Sequence, residues 1–355
     1  MPAVVIWRIK LMIEIERSPL DGSAGARAKE RWDSIAKPLG SLGLLEDAII
    51  GIAKIQHTEN VCIGRRRVVV MCADNGVICE GVSQSDSSVT ALCTDEIASG
   101  RSNVNVIADN VNADVAAVDI GVAVSTDALD RKVAAGTNNI AVGAAMTREE
   151  AERAIMTGIE TAREAGSEGI DILVTGEMGI GNTTTSAAVS SVLLGLPPRE
   201  VTGRGAGLDD IRLAHKTKVV ERAIEVNKPD RNDALDVLAK LGGLDIAGMA
   251  GVFIGGAECG IPVIIDGAIS AVAALTAERI IHGCREYMLA SHVSAEPVGK
   301  LLLNELGLKP VITAEMRLGE GTGGLMLLPL LDCALAVYNK AHRFDEISLE
   351  RYRPL

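Results

Sequence analysis

Between residues 65 and 270 the chain alternates short apolar runs with segments of helical period. RVVVMCA at 67–73 is a continuous, β-branched run ending in Asp74, Asn75 and Gly76, which reads as a strand followed by a turn. VAAVDIGV at 115–122, NIAVG at 139–143, IDILV at 170–174 and PVII at 262–265 repeat the pattern and predict four further strands. Between them, Thr147 stands three residues ahead of Glu150, a capping box. Ala151, Ala154, Ile155 and Ile159 then fall on one face of a helix that stops near Gly166. A further helix is predicted at SAAVSSVLLG, 186–195. Continuous apolar strands joined by helical crossovers predict an α/β fold, a mostly parallel sheet covered by helices on both faces. The first 60 residues read as helical, broken by KPLGSLG at 37–43, and the segment after about 275 is also helix-rich. Neither end alternates with strands. The expected organisation is a large α/β domain at 63–274 and a small discontinuous helical lobe from 1–62 and 275–355.

Composition narrows the partners. Aromatic residues are only 2%, so the core must be built from Ala, Val, Ile and Leu, and base-stacking platforms are not expected. The net charge of −12 argues against a nucleic-acid backbone as partner. Seven cysteines include no C-x-x-C pair, and several lie in apolar runs, as reduced thiols of a cytoplasmic protein would. The five histidines fit no zinc motif. No secretory signal is expected, because Arg8 and Lys10 interrupt the short apolar start, and Met12 is an alternative start. The longest membrane candidate, GGLMLLPLLDCALAVY, carries Pro329 and Asp332 and is short for a span.

Parallel sheets hold their sites outside the carboxyl ends of the strands. The acidic residues at those ends are Asp74, Asp119, Glu177 and Asp266. GEMGIGNTTT at 176–185 joins a strand to a helix; its glycines let backbone approach a ligand, and free N–H groups at a helix start attract anions. It is neither a Walker loop nor GxGxxG. Glu177 inside an anion loop calls for a cation nearby. GRGAGLDD at 203–210 precedes a helix that carries Lys216, MRLGEGTGG at 316–324 sets Glu320 between two glycines, and SHVSAEP at 291–297 carries Ser294 and Glu296. Taken singly, each of these also reads as a plain turn or cap.

Together with KPLGSLGLLE, ADNGV, GLDIAGMAG and the Asp266-Gly267 pair, these stretches follow one another in an order that resembles the nicotinate-nucleotide–dimethylbenzimidazole phosphoribosyltransferase (CobT) family over roughly residues 30 to 340. The resemblance implies a Rossmann-like sheet, a small lobe from both termini, a homodimer, and no metal or other cofactor. It implies transfer of a 5-phosphoribosyl group from nicotinate mononucleotide to a free aromatic base, giving an α-ribazole phosphate and nicotinate for cobamides such as vitamin B12. Glu320 becomes the catalytic base. Glu177, Gly179, Ile180, Gly181, Asn182, Thr183, Lys216, Asp245, Asp266, Gly267 and Ser294 become substrate-binding residues. In EGVSQSDSSVTALC the family's dimethylbenzimidazole users have a serine, here Ser85, and a glutamine, here Cys93, against the base. The lost amide opens the acceptor to phenol, p-cresol or adenine. A non-catalytic subunit of a paralogous heterodimer is the reading from another class, and the intact Glu320 and glycine loop speak against it.

Overall fold

The computed structural model describes residues 15–352. The alternative start and the basic N-terminal stretch lie outside them. Among the described residues six strands form one sheet: β1 (Arg66–Ala73), β2 (Ala113–Gly121), β3 (Leu129–Asp130), β4 (Ile172–Met178), β5 (Val263–Ile265) and β6 (Met288–Ala290). Their spatial order is β3-β2-β1-β4-β5-β6, and each neighbouring pair is parallel. This is the Rossmann order, in which the chain reverses its direction of winding between β1 and β4 and leaves a crevice at their carboxyl ends.

Alternation along β1 builds both faces of the sheet. Val69, Met71 and Ala73 join one core with Ile155 and Ile159 of the helix Arg148–Ser167 and Val252 of the helix Leu244–Cys259. Val68, Val70 and Cys72 point the other way, toward Trp32, Ile49 and Ile52 from the N-terminal helices and Leu325, Leu328 and Leu331 from the helix Thr322–Lys340. The terminal helices thus share their core with one face of the sheet. Trp32 and Tyr338 bring the two termini together, their ring centroids 4.9 Å apart.

Four of the expected strands form, and the capping box closes as read, with the Glu150 amide donating to Thr147 Oγ1 and the Thr147 amide to Glu150. Residues 139–143 do not form a strand. The Asn139 side chain accepts from the Ala141 amide at 2.9 Å, and its carbonyl accepts from Val142 and Gly143, so a local turn replaces a ladder. The very short β3 and β6 were not expected, and β6 extends the sheet past residue 274. The helix Thr322–Lys340 is long and apolar enough to cross a membrane by composition, yet one face of it is core, and its Asp332 pairs with the buried Arg66.

One close approach sets the site. A Cβ on Gly176 of β4 would run into the carbonyl group of Glu320 and lie 2.9 Å from the Gly321 nitrogen. Only a bare backbone at 176 lets the loop carrying Glu320 rest on the strand that carries Glu177.

Candidate active site

A cleft with about 1040 Å³ of empty space, part of it open to solvent, lies beyond the carboxyl ends of β4 and β5. Glu177, Gly179, Ile180, Asn182 and Thr183 line one side of it. Asp266, Gly267, Ser294 and Glu320 line it as well. Gly181, Lys216 and Asp245 stand behind this lining.

The glycine loop organises carboxylates as well as amides. Asn182, the first residue of the helix Asn182–Leu194, donates through Nδ2 to Glu177 and, at 3.0 Å, to Asp245 Oδ2. Asn75, held by the Thr185 hydroxyl at 3.2 Å, also bonds Asp245. Burial, then the neighbouring Asp245 charge, holds the Glu177 carboxyl well above the usual range. Burial raises Asp245 to about 6, against the pull of Asn182. Two of the loop amides are already engaged: Ile180 donates to Thr90 Oγ1 at 3.2 Å and Asn182 to Gly179 O at 3.1 Å. Fewer than five amides of the loop are therefore free to meet a ligand.

Lys216 is fully buried and donates from Nζ to Thr183 Oγ1 at 2.8 Å. Burial lowers its pKa to about 8, while Glu296 works to raise it. A cation thus stands against the glycine loop that contains Glu177. It is held by the glycine loop's own threonine. Glu296 in turn accepts the Gly205 amide at 2.9 Å, which fixes the second glycine cluster across the cleft.

Asp266 accepts from the Gly321 and Gly324 amides at 3.2 and 2.9 Å, at the start of the helix Thr322–Lys340. Burial raises it to about 6, partly offset by those amides. It pins the turn that immediately follows Glu320. Glu320 itself has φ of +60°, a conformation unusual for a side-chain-bearing residue and typical of functional strain. Its Oε2 accepts the Val104 amide at 3.2 Å, at the start of the helix Asn103–Asn110. Burial raises the Glu320 pKa, and the Val104 amide and Ser102 hydroxyl restrain the rise.

Two of the strand-end acids serve structure. Asp119 accepts the Val122 amide and pairs with Lys132 at 3.1 Å, and Asp74 accepts the Ala123 amide. Ser85 and Cys93 are half-buried and do not line the cleft; burial and then Glu320 raise the Cys93 pKa. His292 lines the cleft, buried, with Nδ1 3.0 Å from Ser291 Oγ, and burial lowers its pKa. Its position in SHVSAEP gave no signal of this. Arg317 and Ser186 line the cleft too, and only tertiary folding brings them there. Among the described residues no group of His, Cys, Asp and Glu is arranged to hold a metal ion.

Comparison with known proteins identifies the family. The family described as Phosphoribosyltransferase matches residues 17–348. The nicotinate-nucleotide–dimethylbenzimidazole phosphoribosyltransferase of Acetivibrio thermocellus is 45% identical over 349 residues, 98% of both chains. The enzyme of that name from Ruminiclostridium cellulolyticum is 46% identical, covering 93% of this chain and 94% of the relative. The crystal structure of CobT from Thermus thermophilus superposes with a TM-score of 0.88 at 38% identity, over 93% of this chain and all of that one. On a shared fold, near-complete coverage and a cleft of this make-up, the chain belongs to the nicotinate-nucleotide–dimethylbenzimidazole phosphoribosyltransferase family and is an enzyme, a phosphoribosyltransferase.

Proposed function

We propose that the chain transfers the 5-phosphoribosyl group of nicotinate mononucleotide to a lower-ligand base of the 5,6-dimethylbenzimidazole type, forming α-ribazole phosphate and nicotinate for cobamide biosynthesis. Both substrates are those in the names of its relatives. The observation that carries the reading is the meeting, in one cleft, of an amide-anchored Glu320 with Thr183, whose hydroxyl holds the Lys216 ammonium just behind the lining. The 5′-phosphate takes Lys216, Thr183 and the remaining loop amides, with Gly267 and Ser294 opposite. Glu177 and Asp245 lie toward the ribose. As the bond from C1′ to the pyridine nitrogen breaks, its electron pair cancels the ring's positive charge, and C1′ gains oxocarbenium character that nearby carboxylates stabilise. The incoming base attacks the opposite face through one ring nitrogen, and the proton on that base passes to Glu320. The β-nucleotide thereby becomes an α-product.

Phenol or p-cresol remains the second acceptor reading, because Cys93 stands close enough to Glu320 to feel its charge and offers a thiol where an amide would hold a polar base. The deciding assay supplies nicotinate mononucleotide with an equimolar mixture of dimethylbenzimidazole, p-cresol and adenine and identifies the products by mass. A ribosyl-base phosphate with release of nicotinate is expected. Glu320→Gln is expected to cut turnover at least about a hundredfold with donor binding little changed. Near-native turnover in that variant sinks the role of Glu320.

The pH profile of kcat/KM reports groups in the free enzyme. Glu320 must be ionised to accept a proton and burial raises its pKa, so the acid limb is expected above the ordinary glutamate value of about 4.3. Lys216 is cationic below about 8 and neutral above it, so donor capture is expected to fall as pH rises through about 8. Lys216→Arg, charged throughout, is expected to lose the alkaline limb; a limb unchanged in that variant assigns it elsewhere.

We infer also that two copies pair. Leu92, Val106, Met326 and Leu330 are 64%, 59%, 41% and 36% exposed on three packed helices, an apolar face suited to a second copy. Sedimentation is expected to give a dimer, and Leu330→Glu a shift toward monomer. A native monomer at micromolar concentration contradicts the pairing.

A further inference from the structure

Glu320, the base in the reading above, rests on the start of a helix. The first turn of the helix Asn103–Asn110 carries no acidic side chain of its own. Glu320, far along the chain, supplies the carboxylate that such a turn attracts, its Oε2 accepting the Val104 amide at 3.2 Å. Ser102, just ahead of the turn, offers its hydroxyl as a second donor to the same carboxylate. That donor is contested. A serine hydroxyl has one hydrogen, and Ser102 Oγ directs it at Asn105 Oδ1, 2.6 Å away. The Ser102 amide donates to the same oxygen at 3.1 Å, and Asn105 is buried, so this acceptor is fixed in place. One hydrogen thus has two acceptors, a neutral amide oxygen and a carboxylate whose charge changes during the reaction.

We propose that Ser102 is a positioning residue for the base, its hydroxyl turning to Glu320 while that carboxylate is ionised and back to Asn105 once it has taken the proton. The inference rests on the reading of Glu320 as the base and goes beyond it by naming the groups that set its strength. No proton leaves Ser102; only the direction of its O–H changes. The Val104 amide holds Oε2 in both states, which leaves Oε1 to meet the incoming base. A buried carboxylate with no donor stays protonated, and one bound by several permanent donors is a weak base. A hydroxyl with a second acceptor avoids both extremes: it stabilises the anion before transfer, and Asn105 takes up its hydrogen bond afterwards. The titratable and charged groups around Glu320 are Glu177 on β4, Asp266 beyond β5, Cys93 on the helix Ser88–Ala98 and Arg317 on its own loop. None of them lies on the turn 102–105, and Arg101 ahead of it is taken up by Glu96 at 2.8 Å.

The test reads the acid limb of kcat/KM for the native enzyme, Ser102→Ala and Asn105→Ala, with nicotinate mononucleotide and the base that the mixed assay selects. Ser102→Ala removes the hydroxyl, so the limb is expected to move up by about half to one pH unit, the scale of a lost hydrogen bond to a carboxylate. Asn105→Ala removes the competing acceptor and leaves the hydroxyl to Glu320, so the limb is expected to move down. Both substitutions disturb the same helix start, and both are expected to lower Tm. A merely structural role would therefore move the two limbs together, whereas the shared hydroxyl moves them apart. Ser102→Thr, which keeps the hydroxyl, is expected to retain the native limb. Ser102→Gly, tolerated at a helix start, repeats the upward shift where the alanine variant does not fold. Limbs that move together, or do not move, overturn the inference and leave Glu320 as the base. A limb that persists in Glu320→Gln overturns the base reading as well.

Discussion

The site depends on a contact between two pieces of bare backbone. Gly176 in β4 and the Gly319-Glu320-Gly321 turn lie so close that no side chain fits between them. That contact brings the carboxylate of Glu320 to the strand that carries Glu177. Asp266 secures it from the other side by taking the amides of Gly321 and Gly324, and the helix Thr322–Lys340 then runs back across the sheet into the core shared with the N-terminal helices. The far ends of the chain are thus tied, through one loop, to the central strands. Glu320 accepts a strained backbone because the turn around it is fixed at both ends.

The second organising fact is electrostatic. Glu177, Asp245, Asp266 and Glu320 are buried near one another, and burial pushes all four toward the protonated form. A cleft built this way favours a ligand that carries positive charge at its centre and negative charge at its ends. Such a ligand restores the ionised carboxylates at the centre and meets Lys216 at one end. The chemistry proposed here, a cationic ring leaving a carbon that becomes cationic in its turn, is matched to that distribution. Asn182 keeps two of the carboxylates apart and oriented, which amide hydrogen bonds do without adding charge.

Much of this was legible in the residues. β1, β2, β4 and β5 announce themselves as unbroken apolar runs, whereas β3 and β6 are two and three residues long and carry no period to read. Residues 139–143 look like a strand by composition, but the Asn139 side chain competes with the ladder. Glu177 and Asp266 were visible as acids at strand ends. Asp119 sits at an equivalent place and is taken up by a backbone amide and Lys132, and Asp74 gives one oxygen to the Ala123 amide, a difference that only the fold reveals. Lys216 was marked in the sequence only by the glycine cluster ahead of its helix, and its full burial comes from the fold. His292 and Arg317 reach the cleft through the path of loops, which hydrophobic patterning does not encode.

The central claim is an in-line displacement at C1′ with Glu320 and the departing ring on opposite faces. The anomeric configuration of the product tests it most directly. With β-nicotinate mononucleotide as donor and whichever base the enzyme accepts, nuclear Overhauser contacts from H1′ across the ribose ring are predicted to report a pure α-ribosyl product. A β-configured product, or a mixture of the two formed at the active site, contradicts the account.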